Sequence, residues 1–255
     1  MIRPTPTQTS TSIDKTPGKV TAGLDYYTFK AVTLNLLEAG SVAVYGRKDF
    51  GKSNLLKLIV DAAARIDGVQ FVCWEDGRKE LDKVLSPGIA GYDADRVFGS
   101  YKDFLNYLNS ANLIRSDPDK KSCEFVSIEQ RAFTVFIIQS RRYYLPQTGE
   151  ELDQTAAYLF PLVNSAAENR ALFVFSDVQR MAALEVQRNF SYGIKHAFLL
   201  DDIAKFVLDK GKHSVFESLD HQFLKEEFGP VEKGDGFYYD VDADQLRKLR
   251  FIKTL

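Results

Sequence analysis

The segment Gly46-Arg-Lys-Asp-Phe-Gly-Lys-Ser53 has the residue types and the spacing of a phosphate cradle, G-x-x-x-x-G-K-S. Glycines let a short loop turn and aim its amide protons inward, and the N-terminus of a following helix adds partial positive charge. Lys52 then supplies a point charge for the β and γ phosphates of a nucleotide, and the Ser53 hydroxyl is a ligand for Mg²⁺. Gly46, Gly51, Lys52, Ser53 and Asn54 are the candidate cofactor-binding residues, with Ser53 holding the metal through the nucleotide. The residues between the glycines, Arg47, Lys48, Asp49 and Phe50, are all larger than the pattern needs. Asp49 places a carboxylate near anionic phosphates, which is unfavourable unless it points away or pairs with Lys48 or Arg47. Phe50 is placed to stiffen or obstruct the loop.

Hydrolysis at such a loop needs a second feature, an acidic residue at the tip of a buried strand that completes the Mg²⁺ shell. The apolar run Phe133–Ile138 is the natural strand, but it ends in Gln139-Ser140-Arg141-Arg142. A glutamine hydrogen-bonds without supplying charge or acting as a base. The run Leu172-Phe-Val-Phe-Ser-Asp177 competes: if that strand lies beside the loop strand, Asp177 is a reserve Mg²⁺ ligand, although Ser176 and Asp177 are equally good helix caps. Glu75 and Asp76, after the run Val69–Trp74, are a second reserve of carboxylates, or turn residues.

The elements that must position these groups follow from periodicity. Val32, Leu34 and Leu36 alternate as in a half-buried strand, and Ser41–Tyr45 reads as a central strand. Ser53–Arg65 carries Leu55, Leu56, Ile59, Ala62 and Ala63 on one helical stripe. With the strand Val69–Trp74 this makes a βαβ unit, which predicts a parallel sheet. Further helices are expected at 79–85, 102–113, 151–168 (bent or divided by Pro161), 178–187 and 203–208. Further strands are expected at 96–98, 133–138, 172–175 and 197–200, with closing antiparallel strands at 236–239 and 249–252.

Residues 1–18 are rich in Thr, Ser and Pro without periodicity, so they read as a flexible linker, and 19–255 as one domain. The 255 residues carry 33 Lys and Arg against 35 Asp and Glu, so the chain lacks a generally basic nucleic-acid coat. Arg47-Lys48, Lys120-Lys121, Arg141-Arg142 and Arg247-Lys248 are short and separated, which argues against a DNA track. Two cysteines and three histidines make neither a disulfide framework nor a strong zinc signature. No apolar run has the roughly 18 residues of a membrane span.

The sequence resembles the FtsK/SpoIIIE-like P-loop ATPases, most closely the C-terminal (third) ATPase domain of the membrane-anchored type VII (ESX-like) secretion motor. The likeness runs from about Gly23 to Ile252. It is carried by Gly23-Leu-Asp, the Val32–Leu36 strand, the Gly46–Ser53 loop, Trp74-Glu-Asp-Gly-Arg-Lys-Glu-Leu, Phe133–Ser140 at the Walker B strand, Leu172–Asp177 at the sensor strand, and Gly234-Asp-Gly-Phe-Tyr with Leu249–Ile252 at the closing hairpin. It implies an α/β fold of the RecA-like P-loop NTPase type: three αβα layers, a mostly parallel central sheet and a closing antiparallel hairpin. It implies ATP and Mg²⁺ as cofactors. Hydrolytic relatives carry small loop residues and acidic residues where Gln139 and Ser140 stand, so the resemblance implies a degenerate module, inactive or very slow in isolation.

It further implies neighbouring ATPase domains in the same polypeptide and a cytoplasmic position in a membrane-anchored protein. A ring or homo-oligomer in the full motor, and small helical secretion substrates recognised through a C-terminal signal, follow from the same source. Phe206, Phe216, Leu219 and Phe223 are the candidate groove for that signal, or ordinary core. The alternatives are an active ATPase motor domain that uses Asp177 or Glu75 as its carboxylate, and a DNA translocase.

Overall fold

The computed structural model describes residues 15–46, 49–75, 81–117, 122–127, 131–139, 159, 161–177, 193–200, 231–243 and 245–253. Ten strands form one sheet in the order β2-β1-β12-β11-β10-β3-β9-β8-β4-β5. Its centre is parallel: β10 (His196–Leu200), β3 (Ser41–Tyr45), β9 (Ala171–Asp177), β8 (Thr134–Gln139), β4 (Gln70–Glu75) and β5 (Val97–Phe98) all run one way. The other side is an antiparallel wing of β11 (Asp235–Asp240), β12 (Gln245–Phe251), β1 (Lys19–Asp25) and β2 (Ala31–Asn35). This is the three-layer RecA-like P-loop NTPase fold, with the expected mostly parallel sheet and closing β11–β12 hairpin.

The burial patterns explain the arrangement. β3, β4 and β8 are buried almost throughout and read as near-continuous apolar runs, as strands covered on both faces must. β2 alternates exposed and buried positions and forms the sheet's edge. Helix α2 (Lys52–Ala63) follows β3, after the short α1 (Leu36–Ala39) that precedes that strand. Leu55, Leu56, Leu58, Ile59, Val60, Ala62 and Ala63 of α2 are all buried. They pack with Val42 and Val44 of β3 and with Val20, Ala22, Val32, Leu34, Leu249 and Phe251 of the wing. The wing thus covers a helix whose expected stripe would leave a polar back. On the other face Phe136 stacks on Phe173 at 4.6 Å and meets Phe104 of α3 (Tyr101–Ser110) edge-on. Each such fully buried side chain stabilises by about 1.5–3 kcal/mol relative to exposure.

Several local expectations change. Leu36 does not extend β2: Asn35 accepts a bond from the Leu37 amide and caps α1 instead. The described part of the 79–85 segment is a single 3₁₀ turn, Leu81–Lys83. Arg96 belongs to the 3₁₀ turn Ala94–Arg96 and not to the strand after it. The hairpin of β6 (Ile114–Asp117) with β7 (Ser122–Phe125), and β1 itself, had no clear period-2 signal. The 1–14 part of the proposed linker lies outside the described residues. At 15–18 the chain turns, and the Gly18 amide donates to the Ala62 carbonyl of α2 at 3.0 Å.

Candidate functional site

The loop leaves the tip of β3 and enters α2, the strand–loop–helix context that gives the glycine pattern its meaning. Gly46 has no room for a side chain. A Cβ there would stand 2.7 Å from Leu200 Cβ and 3.2 Å from Lys52 Cγ. The stem of Lys52 therefore lies across Gly46, and only 8% of the lysine is exposed. Gly51 is the N-cap of α2, with φ of 105° and open space where a Cβ would stand. It has no side chain to cap the helix, and the first turn carries no acid. The first amides and the helix dipole thus face no competing carboxylate from their own turn.

The two awkward loop residues find reasons. Asp49 has φ of 68° and is exposed; aspartate is among the few residues that accept this left-handed conformation. Phe50 is half-buried against the α2-side core, so it anchors the loop to the protein. Ser53 is exposed in the first turn. Asn54 is engaged with the protein itself: its Nδ2 donates to the Ile252 carbonyl at 2.6 Å. Arg47 and Lys48 lie outside the described residues.

Facing the loop, the order β3-β9-β8-β4 places one strand between β3 and β8. β9 is thus the strand beside the loop strand, with Tyr45 opposite Asp177 and Val44 opposite Ser176. Asp177 closes β9, but its side chain lies outside the described residues, as do Ser140, Arg141, Arg142 and Asp76. Period-2 alternation puts Ser176 on the α2 face with Leu172 and Val174. Gln139 shares that face with Val135 and Ile137, and Glu75 with Phe71 and Cys73. Ile138 pairs with Phe175, which sets Gln139 beside Ser176, and Glu75 pairs directly with Gln139. Three adjacent strands thus end in a buried polar row, Ser176, Gln139 and Glu75, at 1, 3 and 5% exposure.

Within this row Glu75 carries the charge. Its Oε1 accepts a hydrogen bond from the Leu81 amide at 3.2 Å, which fixes the carboxylate at the strand tip. Its field also adds to burial in pushing the thiol pKa of Cys73 far up, so that thiol stays protonated. Sequence reasoning singled out Gln139, Asp177 and Glu75 separately and passed over Ser176 as a site residue. Counting by two from Leu172 would have placed Ser176 on the loop side of β9.

These donors suit a phosphate ligand: backbone amides at an acid-free helix start, a lysine held across the loop, and a serine hydroxyl. For a divalent cation they suit one side, Ser53, while the tip of β8 offers an amide where a carboxylate is usual. The candidate groove residues Phe206, Phe216, Leu219 and Phe223 lie outside the described residues. Among the described residues no helix is long and apolar enough to cross a membrane.

No protein-family model and no curated protein sequence matches the chain. Solved structures do. Thermomonospora curvata EccC (ATPases 2 and 3), in complex with a signal sequence peptide, aligns over 94% of this chain and 41% of its own, with a TM-score of 0.59 and 15% identity. The cytoplasmic domain of the type VII secretion ATPase EccC from the same organism aligns over 94% of this chain and 26% of its own (TM-score 0.59, 13% identity). The monomer form of the pCW3 conjugation coupling protein TcpA, with ATPγS, aligns over 96% and 68% (TM-score 0.58, 12% identity). The chain therefore spans less than half the length of either EccC structure. At these identities the likeness is one of fold.

Proposed function

We propose that this chain is a degenerate FtsK/SpoIIIE-type ATPase module of a type VII protein secretion motor. It binds ATP at Gly46–Ser53 for regulation and recognises helical secretion substrates. The observation that carries the reading is the unequal furnishing of one sheet edge: a complete phosphate cradle at β3, and Gln139 at β8 where the cation's carboxylate is expected. Gly46, Gly51, Lys52 and Ser53 would hold the nucleotide and, through Ser53, Mg²⁺. Bound Mg²⁺ would neutralise phosphate charge. Without a carboxylate at Gln139, the chain's own residues bind and orient phosphate but lack a base for water.

The substrate half of the proposal draws support from the EccC structure that carries ATPases 2 and 3 with a signal peptide. By that analogy this chain is the terminal ATPase domain of a membrane-anchored protein, on the cytoplasmic side, beside further ATPase domains. Titration calorimetry with Mg·ATP, on the wild type and Lys52→Ala, tests the site. Binding by the wild type alone supports it, and equal binding by both removes it. A labelled C-terminal peptide of a small helical secretion substrate tests recognition, with duplex DNA as the competing ligand. Salt-sensitive binding of DNA without peptide binding would replace secretion by DNA translocation.

A second reading, an active ATPase, is favoured by one observation: Glu75 lies in register with Gln139 on the α2 face and is fixed by the Leu81 amide. Phosphate release at about 1 s⁻¹ or faster, lost in both Lys52→Ala and Glu75→Gln, would establish it. The Asp177 version predicts loss in Asp177→Asn instead.

A further inference from the structure

The helix that opens from the phosphate loop is tied at both ends to the antiparallel wing. At its start the Asn54 amide nitrogen donates to the Ile252 carbonyl, 2.6 Å away and 198 residues distant in sequence. At its end the Ala62 carbonyl, one of the last four that a helix leaves unsatisfied, accepts the Gly18 amide. These ties converge on one set of strands. Ile252 donates its own amide to Ala22 of β1 at 2.9 Å, and Gly18 accepts the Leu36 amide beyond β2 at 2.7 Å. Ile252 follows β12 directly, and Phe251 donates to Gly234 at the entry to β11. Between the ties, α2 and the wing share one apolar core.

Asn54 stands two positions after Lys52, in the first turn of α2, whose amides a phosphate in the loop would engage. Its side chain is given to the wing's last residue. We propose that Asn54 is a positioning residue whose side chain couples occupancy of the Gly46–Ser53 loop to the β12–β1–β2 wing through the Ile252 carbonyl and makes no contact with the nucleotide. The inference rests on the nucleotide reading above. The physical content is a side-chain bond from the first turn of α2 to the residue after β12, set beside the backbone tie at Ala62 and the shared core. A ligand that orders the first turn of α2 orders Asn54, then Ile252, then its bond to Ala22. By linkage, a partner that binds the wing and holds Ile252 would alter nucleotide affinity by the same factor.

Hydrogen exchange of the Ile252 and Phe251 amides, read residue by residue with and without Mg·ATPγS, tests the coupling on the full chain. Calorimetry on the same samples reads nucleotide affinity. In the wild type, saturation with Mg·ATPγS is expected to slow exchange at Ile252 by at least about fivefold. In Asn54→Ala that ligand-dependent change is expected to fall below about twofold, while the nucleotide still binds. Asn54→Leu keeps the approximate size of the side chain and removes the donor without adding a charge to the first turn. It must behave like Asn54→Ala, and it serves if the alanine variant folds poorly.

A merely structural role would speed exchange at Ile252 without ligand yet leave the ligand-dependent change intact, and that result overturns the proposal. Nucleotide binding by the wild type with no change at Ile252 overturns it too and leaves the nucleotide reading standing. No binding by the wild type overturns both.

Discussion

The tip of β3 and the tips of β9, β8 and β4 lie on one edge of one sheet and face the same helix, yet they are furnished differently. The β3 tip has a glycine pressed under Lys52, an uncapped helix start and a serine. The other three tips carry a serine, a glutamine and a glutamate already bonded to a backbone amide. One region has the donors that an anion would take, while the other lines its strand ends with buried polar groups, among which the Ser176 hydroxyl has no hydrogen-bond partner among the described residues. On the proposed nucleotide reading, phosphate binding and water activation would be separable, because the residues for each stand on different strands. Changes at one tip need not damage the other.

The largest expected effect comes from Gly46. A Cβ there meets the Cβ of Leu200 in a packed strand, so Gly46→Val should destabilise the domain by about 3 kcal/mol, measured by urea titration. It should also abolish nucleotide binding. Unchanged stability would mean that β3 and β10 can part, and the cradle is less fixed than it looks.

Lys52→Ala should weaken Mg·ATP binding by about 2 kcal/mol, the scale of a charge-assisted bond, with little change in folding stability. Calorimetry of nucleotide binding and thermal melting separate the two effects.

At the other tips, Glu75→Ala strands the buried Leu81 amide and should cost about 1–2 kcal/mol of stability. Glu75→Gln keeps an acceptor oxygen and should stay within about 0.5 kcal/mol of the wild type. A large loss in Glu75→Gln would show that the charge itself matters, and would sharpen the active-ATPase reading.

The smallest effect is the most discriminating. Gln139→Asp puts a second carboxyl beside Glu75 on a buried edge, so one of the pair must hold its proton to a higher pH than in the unfolded chain. A pKa raised on folding stabilises at low pH and is lost as pH rises through the folded value. The variant's melting temperature should therefore fall below the wild type's near pH 7 and approach it towards pH 4. If Mg·ATP closes the gap at pH 7, the β8 tip is a vacated cation position. If it does not, Gln139 is simply part of the core.

Much of this site was legible because its signals are local. The glycine pattern spans eight residues, and the apolar runs Ser41–Tyr45 and Phe133–Ile138 need only their own composition to read as buried parallel strands. Leu36 was misplaced because apolar alternation continued one residue past the point where Asn35 could cap a helix. β1 gives no period-2 signal because its burial is nearly continuous while its sequence mixes glycine, threonine and alanine, and only its end, Gly23-Leu-Asp, was legible through the resemblance.

Residue type and short spacing are enough to read the loop, the strand before it, the helix after it and the lack of a carboxylate at Gln139. Which strands are neighbours is a property of the folded sheet. Strand order set β9 next to the loop strand, and register aligned Ser176, Gln139 and Glu75 into one buried row from positions spread over about a hundred residues. The same holds for Asn54 and Ile252. Nothing in either segment announces the other, because a hydrogen bond between a side chain and a distant carbonyl depends on where the sheet brings the last strand back.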